Sequence, residues 1–151
     1  MNLSPHFTLR ELSHSQAAER RGIDNSPPPA VVEALRALCL SVLEPLRAAV
    51  GPLHVSSGYR APALNQVVGG SRSSQHCLGQ AADCECFALS TRALAEKVIE
   101  LGLPFDQLIL EFASDSGAGW VHVSHRPDNR GQVLRAIRDA AGKTVYLSGL
   151  G

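Results

Sequence analysis

"FDQLILEFASDSGAGWVHVSH", residues 105–125, sets two apolar runs on either side of a polar, glycine-bearing stretch. "FDQLILEF" and "WVHVSH" have the composition of strands, and "ASDSGAG" has the glycines and short polar residues of a hairpin loop. This pair fixes the class of the fold, because most of what lies ahead of residue 52 reads as helix. Helices first and strands later predict an α+β domain: a small antiparallel sheet with N-terminal helices packed on it, and not a parallel α/β sheet.

Working outward, "LHVSSGY" and "QAADCECF" read as further strands, "APALNQVV" as a brief helix and "GGSRSS" as a loop. Ser90 is expected to cap a helix with Leu94, Val98 and Leu101 on its inner face and Gly102 at its end. Near the start, "TLRE" at 8–11 is a capping box, and "SQAAERRG" gives a second short helix stopped at Gly22. The rigid "DNSPPP" leads into a longer helix over about 30–50. There Val31, Val32, Leu35, Leu38, Val42, Leu46 and Val50 fall mostly on one face, and Pro45 is expected to kink or divide the helix. The tail, "QVLRAIRDAAGKTVYLS", fits a helix then a strand, or a hairpin turning at "AAGK"; the hairpin is preferred. One domain is expected over 1–151, with 1–28 as its N-terminal capping segment.

Composition narrows the function. The 151 residues suffice for one core. Fourteen basic residues balance fourteen acidic ones, which argues against nucleic acid as the main partner. The mildly basic end, 126–151, reads as a solvated surface. No apolar stretch approaches the roughly 18 residues of a membrane span. The start, "MNLSPHFTLRELSHS", is polar and lacks the pattern of a signal peptide. Synthesis in the cytoplasm is therefore expected, and a monomer. The four cysteines (Cys39, Cys77, Cys84 and Cys86) are expected as reduced thiols.

Metal chemistry has two readings. A catalytic zinc takes three protein ligands and keeps one open position. His76 and Asp83 offer an imidazole and a carboxylate with small residues between them, and His122, mid-strand in an apolar run, is a third donor. Alternatively, Cys77, Cys84, Cys86 and His76 form a closed Cys3His structural site, although their spacing lacks a C-x2-C knuckle.

"SSGYRAPALNQVVGGSRSSQHCLGQAAD", followed by "FDQLILEF" and "WVHVS", resembles the zinc D-Ala-D-Ala carboxypeptidase family, and within it the phage- and prophage-encoded peptidoglycan peptidases. The S-x-H-x-x-G-x-A-x-D signature stands as Ser74, His76, Gly79, Ala81 and Asp83, with Trp120-x-His122 downstream. The resemblance covers most of the chain. It implies a Hedgehog/DD-peptidase-like fold, one Zn2+ held by His76, Asp83 and His122, and hydrolysis of peptide bonds in peptidoglycan stem peptides at the bacterial cell wall. It places Arg60 before the metal, facing substrate or oxyanion, with Tyr59, Ser74, Trp120 and His125 among the substrate-binding residues.

One position departs from the pattern. Better-known relatives carry the catalytic Glu or Asp three residues before the last histidine, where this chain has Gly119. Glu111 is the candidate base: a hairpin turning near 116–117 would set it opposite His122. Asp115 is the second choice, and His125 could assist. The alternative is a phage structural or wall-binding protein that keeps the fold without hydrolysis.

Overall fold

The computed structural model describes residues 1–151. Strands β1 (Asn2–Ser4) and β2 (Phe7–Thr8) form a small ribbon, after which Thr8 caps helix α1 (Leu9–Ser13) in the expected capping box. Ser15 caps α2 (Gln16–Arg21), and Gly22 stops it. The ribbon was not legible as strands, yet it is no loose arm. Leu3, Phe7 and Leu12 join the core, and the Ser4 hydroxyl donates to Glu44 at 2.6 Å.

The long helix is not continuous. It runs as α3 (Pro29–Leu38), a wider π turn over Cys39–Leu43, and α4 (Glu44–Val50). Pro45 has no amide to donate, so the turn before it relaxes from the i−4 pattern, and the Glu44 N–H reaches back to the Cys39 carbonyl. The division is thus a π turn without loss of the apolar face: Leu35, Leu38, Cys39, Val42, Leu43 and Leu46 are all fully buried.

The main sheet has six strands: β3 (Leu53–Ser57), β4 (Ala81–Cys86), β5 (Gln107–Glu111), β6 (Trp120–Ser124), β7 (Gln132–Arg138) and β8 (Thr144–Ser148). Their order is β3-β4-β6-β5-β7-β8. The tail is the expected hairpin, β7 pairing antiparallel with β8. The expected all-antiparallel sheet is corrected, because β7 runs parallel to β5. After β6 the chain passes the start of β5 and enters its far side. That passage is tied down where the Arg130 N–H donates to the Asp106 carboxylate (2.9 Å) and the Gln132 N–H to the Asp106 carbonyl (2.9 Å).

Helix α5 (Pro62–Val67) follows β3, and α6 (Thr91–Glu100) follows β4, with the Ser90 hydroxyl accepting the Ala93 N–H at 3.1 Å. Leu94, Ala95 and Val98 face inward, whereas Leu101 is the exposed C-cap and not part of the inner face. Residues alternate across a strand, so Ala82, Cys84, Leu108, Leu110, Val121 and Val123 meet the helices in one apolar cluster. The opposite face is left free of helices, and there the chemistry gathers. No helix is long and apolar enough to cross a membrane.

Candidate metal centre and cleft

Two rows of residues run across that free face. One passes Asp83, His122, Ile109 and Leu134 on successive strands; the next passes Trp120, Glu111, Ala136 and Tyr146. Above them is a cleft of about 780 Å³, lined by both rows and by the segment that carries Arg60, Ser74 and His76.

His76 arrives from outside the sheet, on a short 3-10 turn (Gln75–Leu78) just ahead of β4. The Ser74 hydroxyl caps this turn by accepting the His76 N–H at 3.2 Å. Gly79 closes it with φ +71°, and a Cβ there would stand 2.7 Å from both the carbonyl oxygen and a methyl of Val31. Only glycine lets the turn rest directly on α3, which is a physical reason for the glycine of the signature. The His76 Nδ1–H donates to the Gly58 carbonyl at 2.7 Å, which leaves Nε2 as the free lone pair, 3.4 Å from Asp83 Oδ1. His122 Nδ1 lies 3.0 Å from the same oxygen.

One donor atom from each of His76, Asp83 and His122 lies within 4.8 Å of the others. Zinc bonds of about 2.0–2.2 Å make tetrahedral ligand-to-ligand edges of roughly 3.3–3.6 Å, so the spacing fits one small cation with little movement. Two imidazoles and a carboxylate are also a donor set that zinc accepts, and three protein donors leave one of its four positions for water or substrate. Burial works to raise the Asp83 pKa, but hydrogen bonds and charge from His122 and His76 outweigh it and hold the carboxyl well below its usual range.

Glu111 is on the same face but not where the hairpin was expected to put it. Ile109 is opposite His122, and Glu111 is opposite Trp120, so Glu111 meets His122 on the diagonal. The turn falls one residue earlier than expected. Diagonal neighbours remain within reach of a long side chain. Burial raises the Glu111 pKa, Asp83 raises it further, and His122, Trp120 and Arg60 pull it down. Gly119 has φ +91°, and a Cβ there would run into the Glu111 carbonyl oxygen and the backbone of Phe112 and Ala113. The backbone as it runs has no room for a side chain at 119, and Glu111 lines the cleft. Asp115 is exposed at the hairpin tip, outside the cleft lining.

Arg60, Ser74 and Trp120 line the cleft. Arg60 Nε is buried beside it with no hydrogen-bond partner, and Arg60 Nη2 donates to the Ser74 hydroxyl at 3.5 Å. Tyr59 and His125 are not brought to it. Tyr59 is 5% exposed and joins the core, its N–H held by the Leu12 carbonyl at 2.6 Å. His125 pairs with Gln80, on the alternation of Val121 and Val123 and not of His122.

The Cys3His arrangement does not form. Cys84 points into the core, where burial pushes its thiol up to about 12, and no cysteine joins the His–Asp–His group. Cys39 is likewise buried, with its thiol up at about 12.

Asp106 was missed by the reading of the sequence. It is completely buried, yet its two oxygens accept Arg130 Nη2 at 2.7 Å, Arg130 Nε at 3.0 Å and Gln75 Nε2 at 3.0 Å. Hydrogen bonds from Arg130 hold its pKa down at about 2. Through Gln75 it fixes the turn that carries His76. Only its position ahead of an apolar strand hinted at this, and a lone Asp at a strand start also suits a turn.

A family model described as peptidase M15 matches residues 5–124. No curated protein matches the chain significantly.

Proposed function

The chain belongs to the peptidase M15 family, and from that premise we propose that it is a zinc peptidase that cleaves stem peptides of peptidoglycan. One observation carries the reading: donor atoms of two histidines and an aspartate lie within 4.8 Å of one another, close enough to hold one small cation, in a cleft that Glu111 and Arg60 also line. His76, Asp83 and His122 would hold the ion, which supplies a Lewis acid for the scissile carbonyl and a water made acidic near neutral pH. Glu111, in its half-buried position beside the histidine, takes the proton of the attacking water and passes it to the leaving amine. Arg60, in the cleft lining beside Ser74, steadies a carboxylate or the developing oxyanion. The fold assigned with this activity is the Hedgehog/DD-peptidase type, residues 1–28 serving as part of the same domain. The place of action is the bacterial cell wall, reached by a phage-lysis, virion or bacterial route.

The experiment is mass spectrometry of the soluble products of purified peptidoglycan incubated with the zinc-loaded protein, with and without a chelator. Chelator-sensitive release of D-alanine or of defined stem fragments is expected, and it also names the bond cut. Intact peptidoglycan after incubation with folded, zinc-bound protein would overturn the reading in favour of a wall-binding role.

A further inference from the structure

The family match ends at residue 124, yet the cleft does not. Its far wall is the β7–β8 hairpin, which contributes Leu134, Arg138, Thr144 and Tyr146. Arg60 follows β3 at one edge of the sheet, and Tyr146 is on β8 at the other edge, with the His–Asp–His group and Glu111 between them.

Two features make this wall a prepared surface. Arg138 holds its guanidinium 4.5 Å above the Phe112 ring, and Phe112 in turn leans on Trp120 with ring centroids 5.6 Å apart. Phe112 is the one residue other than glycine with a positive φ, 55°. That conformation costs about 1–2 kcal/mol for a residue with a Cβ, and here it sets the ring beneath the guanidinium. Arg138 has no carboxylate partner; its Nη1 donates only to the Gly142 carbonyl, at 3.4 Å. Arg130, by contrast, is taken up by Asp106. Next to Arg138, Tyr146 stands in the Glu111 row across the small Ala136, 56% exposed, with a phenol that is a donor at neutral pH.

We propose that the β7–β8 hairpin forms a carboxylate-recognising subsite, in which Arg138 and Tyr146 hold an anionic group of the peptide on the side of Glu111 away from Arg60. The proposal rests on the peptidase reading and adds a substrate property to it: the peptide carries a free carboxylate near, but not at, the bond cut. A stacked guanidinium is restricted in motion before it binds, so less is lost on forming the pair.

The test uses matched synthetic stem peptides that differ only in a carboxylate or a carboxamide at that position. The ratio of kcat/KM for acid over amide is measured on zinc-loaded wild type, Arg138→Gln and Tyr146→Phe. Dissociation constants are measured by calorimetry in a Glu111→Gln background, with and without Arg138→Gln. Wild type is expected to favour the acid by about tenfold or more, chiefly in KM, as a charge-assisted pair requires. Arg138→Gln should bring the ratio close to one, and Tyr146→Phe should reduce it several-fold. Equal use of both peptides by wild type, or an unchanged ratio in Arg138→Gln, overturns the subsite while leaving the peptidase reading in place. Acid-selective binding that depends on Arg138 but leads to no cleavage keeps the subsite and sinks the peptidase reading.

Discussion

Asp83 Oδ1 is flanked by two imidazole nitrogens at 3.4 and 3.0 Å, and His76 is also held from outside the trio. His76 is oriented by the Gly58 carbonyl and the Ser74 cap; Asp83 and His122 are cross-strand neighbours. His122→Ala is therefore expected to abolish zinc retention and cleavage together while leaving the fold intact, as checked by metal analysis and circular dichroism. Glu111→Gln keeps the side chain's shape and removes its basicity. It should retain zinc and lose about 10²–10⁴-fold in kcat, read from peptide release at saturating substrate. Full activity in that variant would remove Glu111 from the role of base. The His76, Asp83 and His122 group was legible through the resemblance of S-x-H-x-x-G-x-A-x-D and the downstream Trp-x-His to a family signature, because the residues by themselves left a Cys3His site open. Tyr59 and His125 were legible only by proximity to the motif, and proximity in sequence does not decide which way a side chain turns.

The β5–β6 hairpin shows how one glycine governs an element. Gly119 brings the returning strand against the Glu111 carbonyl with a left-handed backbone, so Gly119→Ala should cost at least about 2 kcal/mol and lower the melting temperature by several degrees. The same change should push Glu111 away from the cleft floor and reduce kcat beyond what the lost stability explains, measured well below the melting point. A variant as stable and active as wild type would mean the loop can relax freely. Local patterns made most elements readable, including the capping box at Thr8, the Ser90 cap and the C-terminal hairpin. The β5–β7 parallel pairing was not readable, since alternation in β7 says which face is apolar but not which strand lies beside it. The β1–β2 ribbon escaped for a different reason: three-residue and two-residue strands are too short to show any period.

At the scale of the molecule, Asp106 joins parts that are distant in the chain: the turn with Gln75, the start of β5, and the passage through Arg126 and Arg130 into β7. Because its folded pKa is held at about 2, below the 3.8 of an ordinary aspartate, its contribution is fully present above the unfolded value and is lost as the pH falls through the folded one. Urea unfolding between pH 5 and pH 2 should show wild type losing stability more steeply than Asp106→Asn. Near neutral pH the variant should be weaker by about 1–3 kcal/mol, since a buried amide replaces a carboxylate that accepts charge-assisted hydrogen bonds from Arg130. Parallel curves for the two proteins would show that Asp106 is not the linked group. The register of the central strands has one more consequence. Asp83 and His122, 39 residues apart, share a face only because β4 and β6 pair as they do. A slip of one residue would turn the histidine into the apolar layer and leave no ligand set. With the metal site as proposed, metal content in a preparation would count the molecules whose middle strands are correctly threaded, and a misaligned chain would carry its fault as an inability to load.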